Sequence, residues 1–209
     1  KTPFASIRRI VQTHDKFFRI RPGLWGLTAR KSEITKLFPD IGEQKSEKQV
    51  RYEHGYYQGL LLELGRFNHF ETYAPPQDKN RAYLGGVLQE HVTITEFPAF
   101  TYDHVIRRGK TIDVVWFNER GFPNSFFEVE FSTDFQNSLV KYVEFQDFKV
   151  NMYVAADDVK QSEYINKISL SAFLPIRSRV KFISFMKISE VYEKSASLYY
   201  LSNPIDNTK

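Results

Sequence analysis

The chain has 209 residues, a formal net charge of +4, and no cysteine, so disulfides and thiolate chemistry are excluded. Nineteen Phe and twelve Tyr supply enough apolar volume for a real core, sized for one ordinary domain plus a small appendage. No apolar run approaches the roughly 18–20 residues a membrane span needs, and no signal-peptide pattern is present, so a cytoplasmic location is expected.

The charge is unevenly placed. Residues 1–31 carry eight Lys or Arg and one Asp, whereas the remaining 178 residues are slightly acidic. A basic head on a near-neutral body suggests a polyanionic partner; a solvated basic tail is the plain alternative. Within the head, Ala5, Ile7, Ile10 and Val11 recur at helical spacing, with Arg8 and Arg9 between them. "KFFRI" alternates like a strand, "RPGL" is a turn, and "LWGLTA" can return as a second strand. A helix followed by a two-stranded wing would present Arg8, Arg9, Arg19 and Arg21 to DNA. The stretch "FFRIRPGLWGLTAR" resembles the end of the HARE-type winged helix, found on chromatin regulators and on some restriction endonucleases. Three units follow: a partial winged helix over 1–31, a linker over 32–48 with a short helix near Ile34–Phe38, and a main domain over 49–209.

The main domain opens with a helix over 49–65, whose apolar stripe is Val50, Tyr57, Leu60, Leu61 and Leu64 and whose natural stop is Gly65. "HFETYAP" is a short strand closed by two prolines, and another strand is expected near "HVTITEF". "TIDVVWF" (111–117) is apolar on both faces apart from Asp113, as a buried central strand should be. An eight-residue Gly- and Pro-containing loop suits a hairpin return into "FFEVEFS". A helix capped by Thr133 or Asp134 and running to about Phe148 leads to the buried strand "KVNMYVAADD". A helix near 160–167, a strand at "VKFISF" and a helix near 187–194 complete the chain. The strand–helix–strand unit should form a right-handed crossover.

Pairing "TIDVVWF" with "FFEVEFS" brings Asp113 beside Glu128 and Glu130. Acids gathered at one sheet edge repel one another unless a cation compensates. Oxygen ligands with retained waters suit Mg²⁺, which can bind a scissile phosphate and acidify a water. An E-x-E on a strand is also an ordinary solvent face. Glu53, on the inward stripe of the first long helix, is the favoured further acid, with Glu63 read as exposed and Glu96 as a third option. His54, His69, His91 and His104 lack zinc-like spacing and read as structural or surface residues. Lys141 and Lys149 can reach phosphate near such a site, though solvated lysines are the plain reading. No phosphate-binding glycine loop is present, since "LGG" at 84–86 lacks its Lys and Ser.

The arrangement "IDVVWF…FFEVEFSTDFQNSLVKY…VNMYVAAD" resembles the PD-(D/E)xK nuclease superfamily, which includes most restriction endonucleases. The lead helix and strand, "YEHGYYQGLLLELG…ETYAP", resemble those of several restriction-type families. The resemblance implies an α/β (α+β) restriction-endonuclease-like core, a central mixed sheet flanked by helices, with a small N-terminal winged-helix remnant. It implies Asp113 and Glu128 as metal ligands, with Mg²⁺ as cofactor and Mn²⁺ able to substitute. Glu130 stands where the family's Lys belongs; a minority of active members carry E-x-E, with that last Glu activating the water. The expected function is hydrolysis of phosphodiester bonds in double-stranded DNA by a homodimer. The alternatives are an inactive nuclease-fold DNA-binding or regulatory protein, a repair or branched-DNA nuclease, and a head that serves protein contacts alone.

Overall fold

A computed structural model describes residues 10–11, 14–21, 24–37 and 47–202. The head contains a hairpin of β1 (Phe17–Arg21) and β2 (Leu24–Leu27), paired antiparallel as its alternation predicts. Residues 10 and 11 are helical, and Arg8 and Arg9 lie outside the described residues. The expected short helix is α1 (Lys31–Leu37), which begins at the last residue assigned to the head and runs into the predicted linker.

The main domain is built on a five-stranded sheet of β3 (Glu71–Tyr73), β6 (Val114–Phe117), β7 (Pro123–Val129), β8 (Asn151–Ala156) and β9 (Val180–Ser184), in that spatial order. Strands β3, β6 and β7 run antiparallel, while β7, β8 and β9 are parallel. The mixed sheet flanked by helices is the architecture expected from the sequence. A small hairpin of β4 (Ala82–Tyr83) and β5 (Gly86–Val87) stands apart.

Both faces of the sheet are covered, which explains why its strands are apolar on both sides. On one face, Val115, Phe126, Met152 and Val154 pack against α3 (Asp103–Gly109), α4 (Gln136–Val143) and α5 (Gln161–Ile168) through Ile106, Leu139, Tyr142 and Ile168. On the other, Val114, Phe127, Val129 and Ala155 meet α2 (Glu47–Phe67) and α6 (Phe185–Ser202) through Tyr57, Leu60, Leu61, Leu64 and Ile188. Each such fully buried side chain contributes about 1.5–3 kcal/mol.

Several expectations are corrected. The segment "HVTITEF" is not a strand: a 3-10 turn at Leu88–Glu90 precedes it, and it meets the sheet through hydrogen bonds between Thr93, Ile94 and Thr72 and through the Phe97 ring against Tyr73 and Phe117. Gly65 does not stop the long helix, which runs to Phe67; a Cβ there would lie 2.3 Å from Thr72 Cγ2 and 2.8 Å from Trp116 Nε1. Close approach, not chain termination, requires that glycine. The helix after Glu130 ends at Val143 rather than near Phe148, continuing as turns, and the last helix is much longer than predicted. Among the described residues, no helix is long and apolar enough to cross a membrane.

Candidate active site

Asp113 immediately precedes β6, and the β6–β7 register pairs Val114 with Phe127. One step further along the ladder, Asp113 faces Glu128. The Val129 backbone N–H donates to Asp113 Oδ2 at 2.8 Å, fixing the carboxylate at the strand end. Glu128 shares the sheet face of Phe126, so it points beneath α4 and is only 3 % exposed. "FFEVEFS" therefore has no solvent face at Glu128, because the sheet is covered on both sides.

What meets Glu128 there is Lys141, on the exposed-to-inward edge of α4. Its Nζ donates to Glu128 Oε2 at 2.7 Å, to Glu128 Oε1 at 2.9 Å and to the Thr111 carbonyl at 2.9 Å. Lys141 is thus not a solvated lysine but the cation of a three-point clamp between α4, Glu128 and the approach to β6. Ser138, one turn earlier, lies with Oγ 3.5 Å from Glu128 and 3.3 Å from Glu130. Glu130 is half-buried, its N–H extending the sheet to the Ala155 carbonyl and its Oε1 accepting from the Ser132 N–H at 2.8 Å.

The electrostatics are opposed. Burial, then the neighbouring charge of Asp113, pushes Glu128 well above the ordinary carboxylate value, although Lys141 pulls the other way. Burial also acts to raise Asp113, but the hydrogen bond and charge of His54, with Lys141 and the Val129 N–H, hold it below its ordinary value. Two neighbouring acids are thereby driven apart, one toward its neutral form and one toward its anion.

His54 is the residue that the sequence passed over. It sits on α2 with Nε2 3.3 Å from Asp113 Oδ2 and Nδ1 3.0 Å from Gln58 Oε1. Burial lowers its basicity, but the Asp113 contact outweighs that and leaves it raised. Gln58 continues the network, donating to Asp78 Oδ2 at 2.9 Å and to the Asp113 carbonyl at 3.0 Å. No spacing rule links His54 to Asp113 across 59 positions; only the packing of α2 over the sheet does so. Glu53, the favoured acid, is 1 % exposed on the same helix, and it is His54 beside it that contacts Asp113.

Glu63 is not exposed, contrary to expectation. Its Oε2 accepts from the Tyr83 hydroxyl at 3.0 Å and from the Tyr192 hydroxyl, and His91 Nδ1 stands 3.1 Å from Oε1. The covering residue Tyr192 comes from α6, 129 positions away. Glu96 is exposed on the irregular segment before α3, and Lys149 is exposed as expected. His69 and His104 are exposed, whereas His54 and His91 are half-buried in polar networks. Among the described residues no three His, Asp or Glu side chains gather into a ready metal cage. Arg19 and Arg21 lie on β1 of the head hairpin.

No curated protein and no solved structure matches the chain. Residues 37–206, spanning α2, the sheet, the Asp113–Glu128–Lys141 cluster and α6, match a family described as the type II restriction enzyme NmeDI C-terminal domain. That match covers most of the 209 residues: this chain belongs to the NmeDI C-terminal-domain family and is a restriction-enzyme-like protein.

Proposed function

We propose that this chain is a metal-dependent endodeoxyribonuclease of the PD-(D/E)xK type, hydrolysing phosphodiester bonds in double-stranded DNA within the cytoplasm. The observation that carries the reading is the Asp113–Glu128 pair, forced together at a strand end and clamped by Lys141. Two carboxyl groups held side by side in a covered site, each with its own basic partner, are costly to build without a purpose. Their oxygens suit a hard divalent ion. Mg²⁺ keeps several waters and takes one or two carboxylates plus substrate phosphate, so a two-acid site fits it without a three-ligand cage. Bound there, such an ion would neutralise phosphate charge and acidify a water.

The chain's own groups supply the rest. Asp113 and Glu128 are the ligands, and His54 with the Val129 N–H hold Asp113 in its anionic form and in one orientation. Glu130, at the half-open end of β7, takes the proton of the attacking water. Lys141 replaces the ammonium that the E-x-K pattern would place at residue 130. Arriving from α4 instead, it sets a positive charge against the phosphate oxygens as negative charge develops on them. Glu53 acts from the neighbouring turn of α2. The head is a winged-helix remnant whose Arg8, Arg9, Arg19 and Arg21 contact DNA phosphates, and cleavage of both strands uses a twofold homodimer.

The test is cleavage of plasmid and genomic DNA with Mg²⁺ or Mn²⁺, wild type against Asp113→Ala. Discrete fragments that vanish in the variant support the reading. A wild type that binds DNA but cuts neither modified nor unmodified substrates points instead to an inactive binding module.

A further inference from the structure

Helix α3 presents a charged face that none of the site residues uses. Val105, Ile106 and Gly109 turn inward, and a Cβ at Gly109 would lie 2.7 Å from the Phe97 ring, so the helix is pressed onto the core. His104, Arg107 and Arg108 fall on the opposite side at i, i+3 and i+4, and Lys110 follows at the helix end. All four are exposed, and none of the ion pairs among the described residues involves Arg107, Arg108 or Lys110. Three cations without an ion pair in four residues form a local positive field on a domain (49–209) whose other side chains are 15 Lys or Arg against 20 Asp or Glu.

Next to them is an open cleft of about 730 Å³ lined by Thr101, Tyr102, Asp103, His104 and Arg107. Tyr102 is 77 % exposed, and its ring stacks on His104 with an interplanar angle of 14°. An aromatic side chain so open to water loses apolar burial, and a flat ring pair beside an arginine suits a sugar or base face flanked by phosphate. Asp103 is the one acid in the cleft.

The helix is tied directly to the candidate active site. Thr111 Oγ1 donates to the Arg108 carbonyl at 2.7 Å, and the Thr111 carbonyl accepts from Lys141 Nζ, which in turn holds Glu128. Arg107, Arg108 and Lys110 fall within four consecutive positions that end one residue before Thr111. The cations therefore fall, in chain order, between the aromatic cleft and the segment that Lys141 grips.

We propose that the exposed face of α3 is the track for the DNA strand beside the cleavage point: Arg107, Arg108 and Lys110 hold its phosphates, and the Tyr102–His104 ring pair seats the adjoining nucleoside. This assignment rests on the nuclease reading and gives it a strand path that the N-terminal head does not supply. Lys110, next in the chain to Thr111, is assigned to the phosphate beside the cleavage point, and Tyr102 to the far end of the track.

The experiment measures binding of a labelled mixed-sequence duplex by the full chain in EDTA across a salt series, alongside plasmid cleavage in Mg²⁺. The variants are R107A/R108A/K110A, Tyr102→Ala and, as a control, K187A/K194A on the exposed face of α6. Thermal melting confirms that each is folded. The triple variant should bind at least about tenfold more weakly, with the slope of log affinity against log salt shallower by about 2–3. Tyr102→Ala should lose about tenfold in affinity with the slope unchanged. The control should match wild type. A folded triple variant with wild-type affinity and slope overturns the track while leaving the nuclease reading intact. A wild type that neither binds nor cuts DNA overturns both.

Discussion

Two glutamates, Glu63 half-buried and Glu128 buried, meet the cost of leaving water differently. Glu63 is surrounded by donors: the hydroxyls of Tyr83 and Tyr192 serve one oxygen and His91 approaches the other. Tyr83 is itself fully buried and gives its proton up only far above the ordinary range, first because of burial and then because of the acidic partners around it. Such a carboxylate is satisfied, and its cluster fastens α2, the β4–β5 hairpin and α6 together. Glu128 instead faces a second carboxylate, and Lys141 must serve as its cation while Asp113 repels it. A satisfied acid reads as a structural tie. An acid pressed against another acid reads as a site kept in tension for a ligand, since natural chains place such conflicts where function needs them.

Four changes would break or sharpen that contrast. The largest effect is expected from Lys141→Met, which keeps the length of the side chain and removes its charge. Cleavage should fall about 10²–10³-fold, the scale of losing one preorganised charge-stabilising group. Single-turnover kinetics at saturating DNA would show that loss in the chemical step. Second, Glu63→Ala strands two phenol donors, so thermal or urea unfolding should show a loss of about 3 kcal/mol. Cleavage measured well below the melting temperature should stay within about twofold of wild type.

Third, Gly59→Ala aims at Tyr83 itself. A Cβ there would sit 2.2 Å from the Tyr83 ring, so the ring that donates to Glu63 must move. Urea unfolding should register a loss of about 2 kcal/mol. Fourth and smallest is a pH effect. In the folded chain Glu128 binds its proton more tightly than its ordinary value of 4.5 implies, so the native state retains a proton that the unfolded chain has released. Its contribution to stability is full below that value and is lost as pH rises toward its raised folded value. Asp113, held below its ordinary value, contributes in the opposite sense, its stabilisation being lost as pH falls through its lowered value. Glu128→Gln lacks the first penalty. Relative to wild type it should gain stability as pH climbs above about 4.5. Melting curves across pH would reveal this as a widening gap between the two proteins.

The sheet was readable from the sequence because its strands are long apolar runs bounded by turns, and the Asp113…Glu128-x-Glu130 spacing was readable because a hairpin relates those residues locally. The burial of Glu128 was not. Alternation alone allots Glu128 and Glu130 to a solvent face, and only the α4 layer converts that face to interior. Lys141 was misread for the same reason: its role depends on α4 folding back over β7. His54 and Glu63 sit on a helix whose surroundings come from distant parts of the chain, β6 in one case and α6 in the other. A helical wheel of α2 by itself cannot show that Tyr192 covers Glu63. The 77–110 region resisted reading because 3-10 turns and two-residue strands carry no period of their own and take their shape from the core they cover.

The most direct test compares Glu128→Gln with Glu63→Gln, measuring melting temperature and Mg²⁺-dependent plasmid cleavage on the same preparations. The expected result is a separation. Glu128→Gln should melt at or above the wild-type temperature and lose cleavage by at least about 10²-fold, whereas Glu63→Gln should melt lower and still cut DNA. If Glu128→Gln cut DNA at the wild-type rate, or if Glu63→Gln abolished cleavage without loss of stability, the assignment of the reacting centre to Asp113, Glu128 and Lys141 would be contradicted.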